Sequence, residues 1–372
     1  MRLNKYLIRN FDWFVLTAMV VLCLIGIVTI FSATRPAGEG AQPDYYIKQA
    51  LWLVFGLCVL AALVSFDYIW LGRAAYILYA LGLFLLVLVH IAGKSGMGAQ
   101  RWFALGPVSV QPSEFFKLFY VIALARHMSG IESPLTGGRI LMAFLIFVAP
   151  ALILLVSQPD LGTALITVAL FISLTLSKGV RAKVVLLFLV LSLVSIPFLG
   201  NIFWSELRDY QKNRLIAFVE PEADPGGIGY HIIQSKVAIG SGGLFGKGYL
   251  DGTQGPLRFL PEKHTDFVFS VFAEEWGFIG GLLLIAVFFG LIYRGLDTAR
   301  KAKDEFGRLL ARAVAFMFAT YTLINLSMTM GLMPVVGIPL PFVSYGGSAL
   351  LANFAAGAIL ISIRARRFQL FY

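Results

Sequence analysis

Residues 13–33 read WFVLTAMVVLCLIGIVTIFSA, a run of mostly apolar side chains without a charge. About 20 such residues in a helix span the hydrocarbon core of a bilayer. The run is too long for the apolar region of a signal peptide, which has about 7–15 residues. The stretch therefore predicts a membrane-spanning helix.

The composition of the whole chain points the same way. Of its 372 residues, 59% are hydrophobic and 13% are charged, and the mean hydropathy is +0.82. Globular chains are about 45–50% apolar and about 25% charged, so a soluble enzyme and a disordered chain are both excluded. Continuous apolar runs also exclude a transmembrane β-barrel. Cys23 and Cys58 lie within such runs, and we interpret both as small buried residues rather than as a disulfide or a metal pair.

We predict an all-α polytopic membrane protein, with residues 1–372 forming one integral membrane domain of about ten transmembrane helices. If both termini are cytoplasmic, the short inner segments collect more Lys and Arg than the outer ones, as the positive-inside rule requires. The net charge of +10 is thereby explained by topology rather than by nucleic-acid binding. The predicted spans are 12–33, 49–66, 73–92, 113–129, 139–157, 160–177, 184–203, 277–294, 309–332 and 345–363.

Two large segments, 93–112 and 204–276, lie on the predicted outer side. Both are rich in Gly and aromatic residues and contain apolar stretches of their own, which favours function over disorder. In the second segment, residues 229–239 predict an interfacial or re-entrant helix of about three turns. Residues 267–275 predict a short helix near the outer surface, followed by a separate span from residue 277.

A run of polar residues precedes that short helix: Glu262-Lys263-His264-Thr265-Asp266. Asp266 at a helix start is typical of an N-cap, because aspartate accepts hydrogen bonds from free main-chain N–H groups there. A carboxylate crowded by charges beside a membrane is also a candidate general base. For His264, an orienting role is favoured over catalysis.

The fourth predicted span carries two charges near its start. Glu114 and Lys117 are three residues apart and share one helix face. Charges within a span usually face a cavity or a partner. We expect a mutual salt bridge that orients the helix, a ligand-binding role, or both.

Further polar residues stand at the edges of other spans. Asp160 begins the sixth span and is a candidate N-cap, while Arg101 is a candidate phosphate ligand. Trp102 is typical of an interface anchor. Asn325 favours a hydrogen bond between helices. Ser344 opens a glycine-rich entry to the last span, where the backbone permits close approach of a neighbour or a substrate tail.

The motifs of several function classes are missing from the sequence. There is no P-loop, no GxSxG, no HExxH, no potassium-filter signature and no run of regularly spaced arginines. The four histidines are scattered, which disfavours a metal cage built from side chains. A divalent cation such as Mg²⁺ or Mn²⁺, held by carboxylates together with a pyrophosphate, stays open.

Six motifs in order resemble the SEDS family (shape, elongation, division, sporulation) over residues 12–367. Each motif is weak alone, but the ordered set is specific. They are GAQRW at 98–102, QPSE at 111–114, QPDLGT at 158–163, GYHIIQS at 229–235, PEKHTDF at 261–267 and PFVSYGGS at 341–348.

The resemblance implies a multi-pass peptidoglycan glycosyltransferase of the bacterial cytoplasmic membrane. Such proteins polymerise lipid II at the outer face, together with a class B penicillin-binding protein that supplies the transpeptidase. By motif, Asp266 matches the family's essential acid. Lys263 before the histidine and the short termini favour the elongation-type paralogue. Glu114, Lys117 and Asp160 match polar residues of the family's outward cavity, and Arg101 and Trp102 match the adjoining outer loop.

The implied reaction needs a base and positive charge. We therefore expect Asp266 to accept the proton, and Arg101, Lys117, Arg214 and Lys263 to be candidates for holding the pyrophosphate. A lipid flippase, a non-catalytic scaffold for a partner enzyme and a glycan-ligase relative are the alternatives. A flippase needs no base at the outer surface and no elaborate outer segment, so it is the weaker interpretation.

Overall fold

The computed structural model describes residues 9–35, 44–96, 99–105, 108–186, 205, 207, 209–224, 227–253 and 263–368. These residues form a bundle of long helices, as predicted. A single π-helical turn, Phe144–Val148, lies within α5, and a short 3₁₀ turn, Pro221–Ala223, follows α7. The helices are α1 (Trp13–Thr34), α2 (Tyr45–Ser65), α3 (Tyr68–Ala92), α4 (Pro112–Ser129), α5 (Gly137–Ser157), α6 (Leu161–Lys178), α7 (Asp209–Val219), α8 (Ile228–Ser241), α9 (Val268–Lys301), α10 (Glu305–Thr329) and α11 (Gly347–Ala365).

Eight of the described helices are long and apolar enough to cross a membrane, namely α1, α2, α3, α5, α6, α9, α10 and α11. Helix α4 coincides with the predicted span 113–129 but carries charged residues. The predicted span 184–203 lies almost entirely outside the described residues. The count of ten and the cytoplasmic position of both termini therefore stay predictions.

Helices α10 and α11 form the centre of the bundle. In their most apolar windows, 72% and 89% of the residues are buried, against 22% in α2. The peripheral α3 presents large apolar side chains outward, and Ile77 and Ile91 are both 73% exposed. A helix that is apolar all round belongs in a protein core or in a membrane. The outer helices thus have the surface that lipid requires.

Both cysteines are free, as predicted, but only one of them is buried. Cys23 lies in the core, whereas Cys58 is exposed on α2. The prediction that both are buried was therefore wrong for Cys58, because it lies on the outward face of a peripheral helix.

A small antiparallel sheet departs from the all-helical prediction. Its strands are β1 (Lys94–Gly96), β2 (Ala99–Leu105) and β3 (Val108–Val110), in that order across the sheet. Residues 106–107, which separate β2 from β3, are Gly-Pro, a dipeptide typical of turns. This sheet places Arg101 and Trp102 beside the start of α4.

Helix α9 is broken at Gly277, whose φ of 66° and ψ of −165° are not helical. This confirms a separate helical piece before the long span, and α8 confirms the three-turn helix predicted at 229–239. At the break, the main-chain N–H and C=O groups of α9 lose their helical partners. The turn after α8 supplies new main-chain hydrogen-bond partners for them. The four bonds are Lys247 N to Glu274 O (3.0 Å), Gly248 N to Glu275 O (3.1 Å), Phe278 N to Gly243 O (2.9 Å) and Ile279 N to Leu244 O (3.1 Å).

The helical piece before the break lies inside the protein rather than along its surface. Glu274 is 0% exposed and Glu275 is 2% exposed. Glu274 accepts hydrogen bonds from Lys247 Nζ (2.6 Å) and from the main-chain N of Thr253 (2.9 Å), and Glu275 accepts one from Ser32 Oγ. These partners explain how the Glu274 carboxylate is accommodated in the interior, whereas Glu275 Oε2 is buried without a hydrogen-bond partner among the described residues.

Candidate active site

Asp266 lies in a turn, residues 263–267, that leads into α9. Three successive main-chain carbonyl oxygens of this turn accept hydrogen bonds from α10 and from the segment before α11. Such bonds fix the path of the backbone on both sides of the carboxylate. The bonds are Tyr345 N to His264 O (2.8 Å), Ser344 Oγ to Thr265 O (2.7 Å) and Asn325 Nδ2 to Asp266 O (3.1 Å).

The N-cap interpretation of Asp266 is wrong. The N-cap of α9 is Phe267, which makes no side-chain capping bond, and the helix itself begins at Val268. Asp266 thus lies one residue before the N-cap position.

The carboxylate of Asp266 and the guanidinium of Arg214 meet at Gly337. A Cβ placed on Gly337 would lie 3.5 Å from Asp266 Oδ2 and 3.9 Å from Arg214 Nη1. Arg214, one of the candidate diphosphate ligands predicted from the sequence, lies on α7. A proton acceptor and a cation able to bind an anion thus converge on one point in the segment after α10.

His264 is packed within a group of aromatic rings. Its ring stacks on Tyr45 with centroids 4.4 Å apart and planes at 15°, and it lies 5.7 Å from the ring of Tyr345. This packing agrees with an orienting role for His264.

Ser344 is engaged on both sides by the main chain. Its Oγ donates to Thr265 O and accepts from Leu340 N at 2.8 Å. Its own carbonyl accepts from Gln49 Nε2 at 3.1 Å. The geometry gives Ser344 a positioning role at the Asp266 turn, whereas direct contact with substrate stays a prediction. Lys263 opens the same turn and is half-buried.

The salt bridge predicted between Glu114 and Lys117 is present. Glu114 Oε1 lies 2.8 Å from Lys117 Nζ, and both side chains are buried. The ammonium group also lies 4.8 Å from the centroid of the Tyr321 ring on α10, a contact that the sequence analysis did not foresee. The pair therefore holds α4 to the central helix at the level of the polar interior.

Lys117→Met is expected to destabilise the protein by about 3–5 kcal/mol, because it leaves the Glu114 carboxylate buried without its partner. The double variant Glu114→Gln/Lys117→Met should recover most of that loss. Thermal melting of the purified variants measures both effects. Equal melting temperatures for the wild type and Lys117→Met would contradict the buried pair.

Asp160 is the N-cap of α6, as predicted. Its carboxylate accepts from Thr163 N at 3.3 Å and from Thr163 Oγ1 at 2.9 Å. Arg101 from β2 lies 3.8 Å from the same carboxylate and donates to the carbonyl oxygens of Gln158 and Pro159. Arg101 thus fixes the turn before α6. Contact of Arg101 with a phosphate stays a prediction. Trp102 is half-buried in the same strand.

The segment between α10 and α11 connects these groups. A Cβ placed on Gly162 would lie 2.9 Å from the carbonyl oxygen of Val336, so the start of α6 packs directly on this segment. Asn325 Nδ2 donates at 2.8 Å to the carbonyl oxygen of Ile338 as well as to that of Asp266. Asn325 therefore joins two loops and does not make the predicted bond between helices.

Asn325→Leu is expected to lower the rate of the catalysed reaction about 10-fold, because it removes both donated hydrogen bonds while keeping the branched shape of the side chain. Thr322→Val is the matched control one turn away on α10. The Thr322 hydroxyl is buried and has no hydrogen-bond partner in the described structure. Initial rates on labelled substrate compare the two, and equal effects would contradict a positioning role for Asn325.

The described residues hold no group of three or more His, Cys, Asp or Glu side chains that could bind a metal ion. Glu114 is engaged by Lys117, and Asp160 by Thr163. A divalent cation held by carboxylates together with a pyrophosphate stays a prediction.

The fold and the site define a class: a multi-pass membrane protein in which a carboxylate and an arginine meet at the segment that connects the two central helices. The chain belongs to the FtsW, RodA and SpoVE family of cell cycle proteins, whose model matches residues 12–369. This confirms the resemblance to the SEDS family.

Named relatives and solved structures agree with the family. The peptidoglycan glycosyltransferase MrdB of Escherichia coli K12 is 41% identical, with 94% of this chain and 93% of the relative covered. The peptidoglycan glycosyltransferase RodA of Treponema pallidum is 30% identical, with 97% and 99% covered. A chain from a study of structural coordination of polymerization and crosslinking by a peptidoglycan synthase complex has a TM-score of 0.82 at 30% identity, with 96% of this chain and 99% of that chain covered.

Proposed function

We propose that the chain is a peptidoglycan glycosyltransferase that polymerises lipid II into β-1,4 glycan strands on the outer face of the bacterial cytoplasmic membrane. Two curated relatives that match nearly the whole chain carry this activity in their names. The observation that carries the catalytic assignment is the convergence of Asp266 and Arg214 on Gly337. That arrangement pairs a proton acceptor with an anion-binding group, which the reaction requires.

The reaction is a single inverting displacement. The 4-hydroxyl of an acceptor GlcNAc attacks C1 of a donor MurNAc, and the bond from C1 to the diphosphate oxygen breaks. The α linkage of the donor becomes a β linkage, and polyprenyl diphosphate leaves with the bonding electron pair. Asp266 takes the hydroxyl proton as the new bond forms. Because diphosphate is already a good leaving group, one carboxylate suffices where glycoside hydrolysis usually needs two.

Positive charge at the site stabilises the departing diphosphate. Arg214 is the first candidate because its guanidinium already faces the point approached by the Asp266 carboxylate. Arg101 and Lys263 are further candidates. Lys117 already forms a salt bridge with Glu114, so its main role is to support the site. It could bind an anion only if its ammonium group were shared between that anion and the Glu114 carboxylate. The polyprenyl tail lies in an apolar groove between spans.

A class B penicillin-binding protein is the proposed partner, supplying the transpeptidase that crosslinks the new strands. Support comes from the solved neighbour that belongs to a peptidoglycan synthase complex coordinating polymerization and crosslinking. In the proposed topology, both termini lie in the cytoplasm. Residues 204–276, which include the Asp266 turn, lie on the outer side of the membrane.

Elongation and rod shape are the proposed cellular role. MrdB is 41% identical, and a probable division-type relative, the FtsW of Trichlorobacter lovleyi, is 39% identical. Expression of the chain in rod-shaped cells depleted of their own elongation glycosyltransferase tests this role. Restored rods support it, whereas rescue only of division-defective cells contradicts it.

The activity itself is tested with purified protein and labelled lipid II, in the presence of a divalent cation and with or without a class B penicillin-binding protein. Glycan ladders resolved on a gel are expected. Lipid II left intact under all these conditions, by a folded protein, contradicts the proposal.

A further inference from the structure

A cluster of charged residues lies far from the Asp266 turn, where α1 begins and where α9 and α11 end. We call it the basic cluster. It joins three helices at one end of the bundle and has no part in the proposed reaction. Its members are Asp12, Arg294, Asp297, Lys301, Arg364 and Arg367.

The two carboxylates of the basic cluster form salt bridges with three of its four basic side chains. Asp12 is 3% exposed, and its Oδ2 lies 2.9 Å from Arg294 Nε and 3.0 Å from Arg364 Nε. Asp297 lies 2.8 Å from Arg364 Nη1 and 2.9 Å from Lys301 Nζ. Such a network fixes the positions of the arginines, because each is held from more than one side.

Arg367 is the member without an acceptor. Its Nε and Nη1 atoms are buried and have no hydrogen-bond partner within the described structure. Its guanidinium lies 4.5 Å from the centroid of the Phe368 ring. The positive charge is repelled by Arg364 and Arg294 and attracted by the two carboxylates of the cluster. Buried donors of a charged group that lack an acceptor are costly. An anion that accepts from these two N–H groups would therefore stabilise the position.

Charge and position define the anion. The basic cluster has four basic side chains against two carboxylates, so it has room for a ligand with one or two negative charges. A planar guanidinium matches a phosphate with two parallel hydrogen bonds. Exposed aromatic side chains flank the cluster: Trp13 is 60% exposed, Phe14 50% and Phe368 64%. Such rings at the ends of spans are typical of the headgroup region of a bilayer.

We propose that the basic cluster is a binding site for the phosphate group of an anionic phospholipid, with Arg367 as its principal ligand. The lipid phosphate accepts from the buried N–H groups of Arg367, and the acyl chains pass along the exposed aromatic side chains. Bound lipid thereby ties the ends of α1, α9 and α11 together. The proposal concerns no step of polymerisation and stands independently of it.

The test is native mass spectrometry of the full chain in non-ionic detergent, titrated with phosphatidylglycerol, with neutral phosphatidylcholine and with glycerol phosphate. Arg367→Gln is expected to weaken phosphatidylglycerol binding about 10-fold, because a charged hydrogen-bond donor pair is lost. Arg300→Gln is the control, since it removes the same charge from an exposed side chain near the same end of α9. It should change the affinity less than about 2-fold.

Asp297→Asn provides a change of the opposite sign. It removes the negative charge that neutralises Arg364 and Lys301, so phosphatidylglycerol binding is expected to become stronger. This gain keeps the test decisive if the Arg367→Gln protein proves to be less stable. Equal losses in Arg367→Gln and Arg300→Gln would overturn the site, as would equal affinity for phosphatidylcholine. Displacement of the lipid by glycerol phosphate at comparable concentration would overturn the assignment to a lipid.

Discussion

Asp266→Asn is expected to abolish glycan polymerisation, with a loss of at least about 10²–10⁴-fold in the initial rate. The amide keeps the shape of the side chain but cannot accept the hydroxyl proton. The three hydrogen bonds that hold the turn go to main-chain carbonyl oxygens, so the substitution leaves them intact. The variant should therefore melt at the wild-type temperature and still co-purify with the penicillin-binding protein.

Asp251→Asn is the matched control for that prediction. Asp251 belongs to the same predicted outer segment and is exposed, and the chemical change is identical. We expect its rate of lipid II polymerisation to stay within about 2-fold of the wild type. If Asp266→Asn and Asp251→Asn polymerise equally well, Asp266 is not the base.

Gly277→Ala is expected to destabilise the protein by about 3 kcal/mol or more. Gly277 has a φ of 66°, which disfavours any side chain. A Cβ there would also lie 2.3 Å from Gly246 N and 2.7 Å from Leu244 O, which are main-chain atoms of the turn that fills the break in α9. The substitution must push this turn away and disrupt the four hydrogen bonds across the break.

Gly240→Ala serves as the control for the glycine at the break. Gly240 lies in α8, shortly before the same turn, and a Cβ placed on it meets nothing within 4 Å. Alanine in a helix is favoured over glycine by about 1 kcal/mol, so this variant should be as stable as the wild type or slightly more so. Melting temperatures and detergent-solubilised yields compare the two. A Gly277→Ala protein that melts with the wild type would contradict a required break.

The helical architecture could be predicted because it follows from hydropathy, a property of each segment by itself. The run at 13–33 and the predicted spans 73–92, 139–157 and 160–177 each coincide with a described helix to within a few residues. The sheet at residues 94–110 was missed because the two strands that pair with β2 have only three residues each. The Gly-Pro dipeptide between β2 and β3 was the available signal.

The candidate site was predicted in its residue types but not in its contacts. The pair Glu114 and Lys117 followed from helical spacing, because both residues lie on one element. Three other contacts link distant parts of the chain. They are the convergence of Arg214 and Asp266 on Gly337, the stacking of Tyr45 on His264 and the two hydrogen bonds donated by Asn325. No local pattern encodes such contacts, since they depend on how the helices pack.

The most direct test of polymerisation by Asp266 uses sealed vesicles that contain the purified chain with its partner, with labelled lipid II added outside. Glycan ladders and transfer of lipid II to the inner leaflet are recorded together. We predict ladders from the wild type and none from Asp266→Asn. Transfer of lipid II without ladders in both proteins would contradict the account and identify a lipid transporter instead.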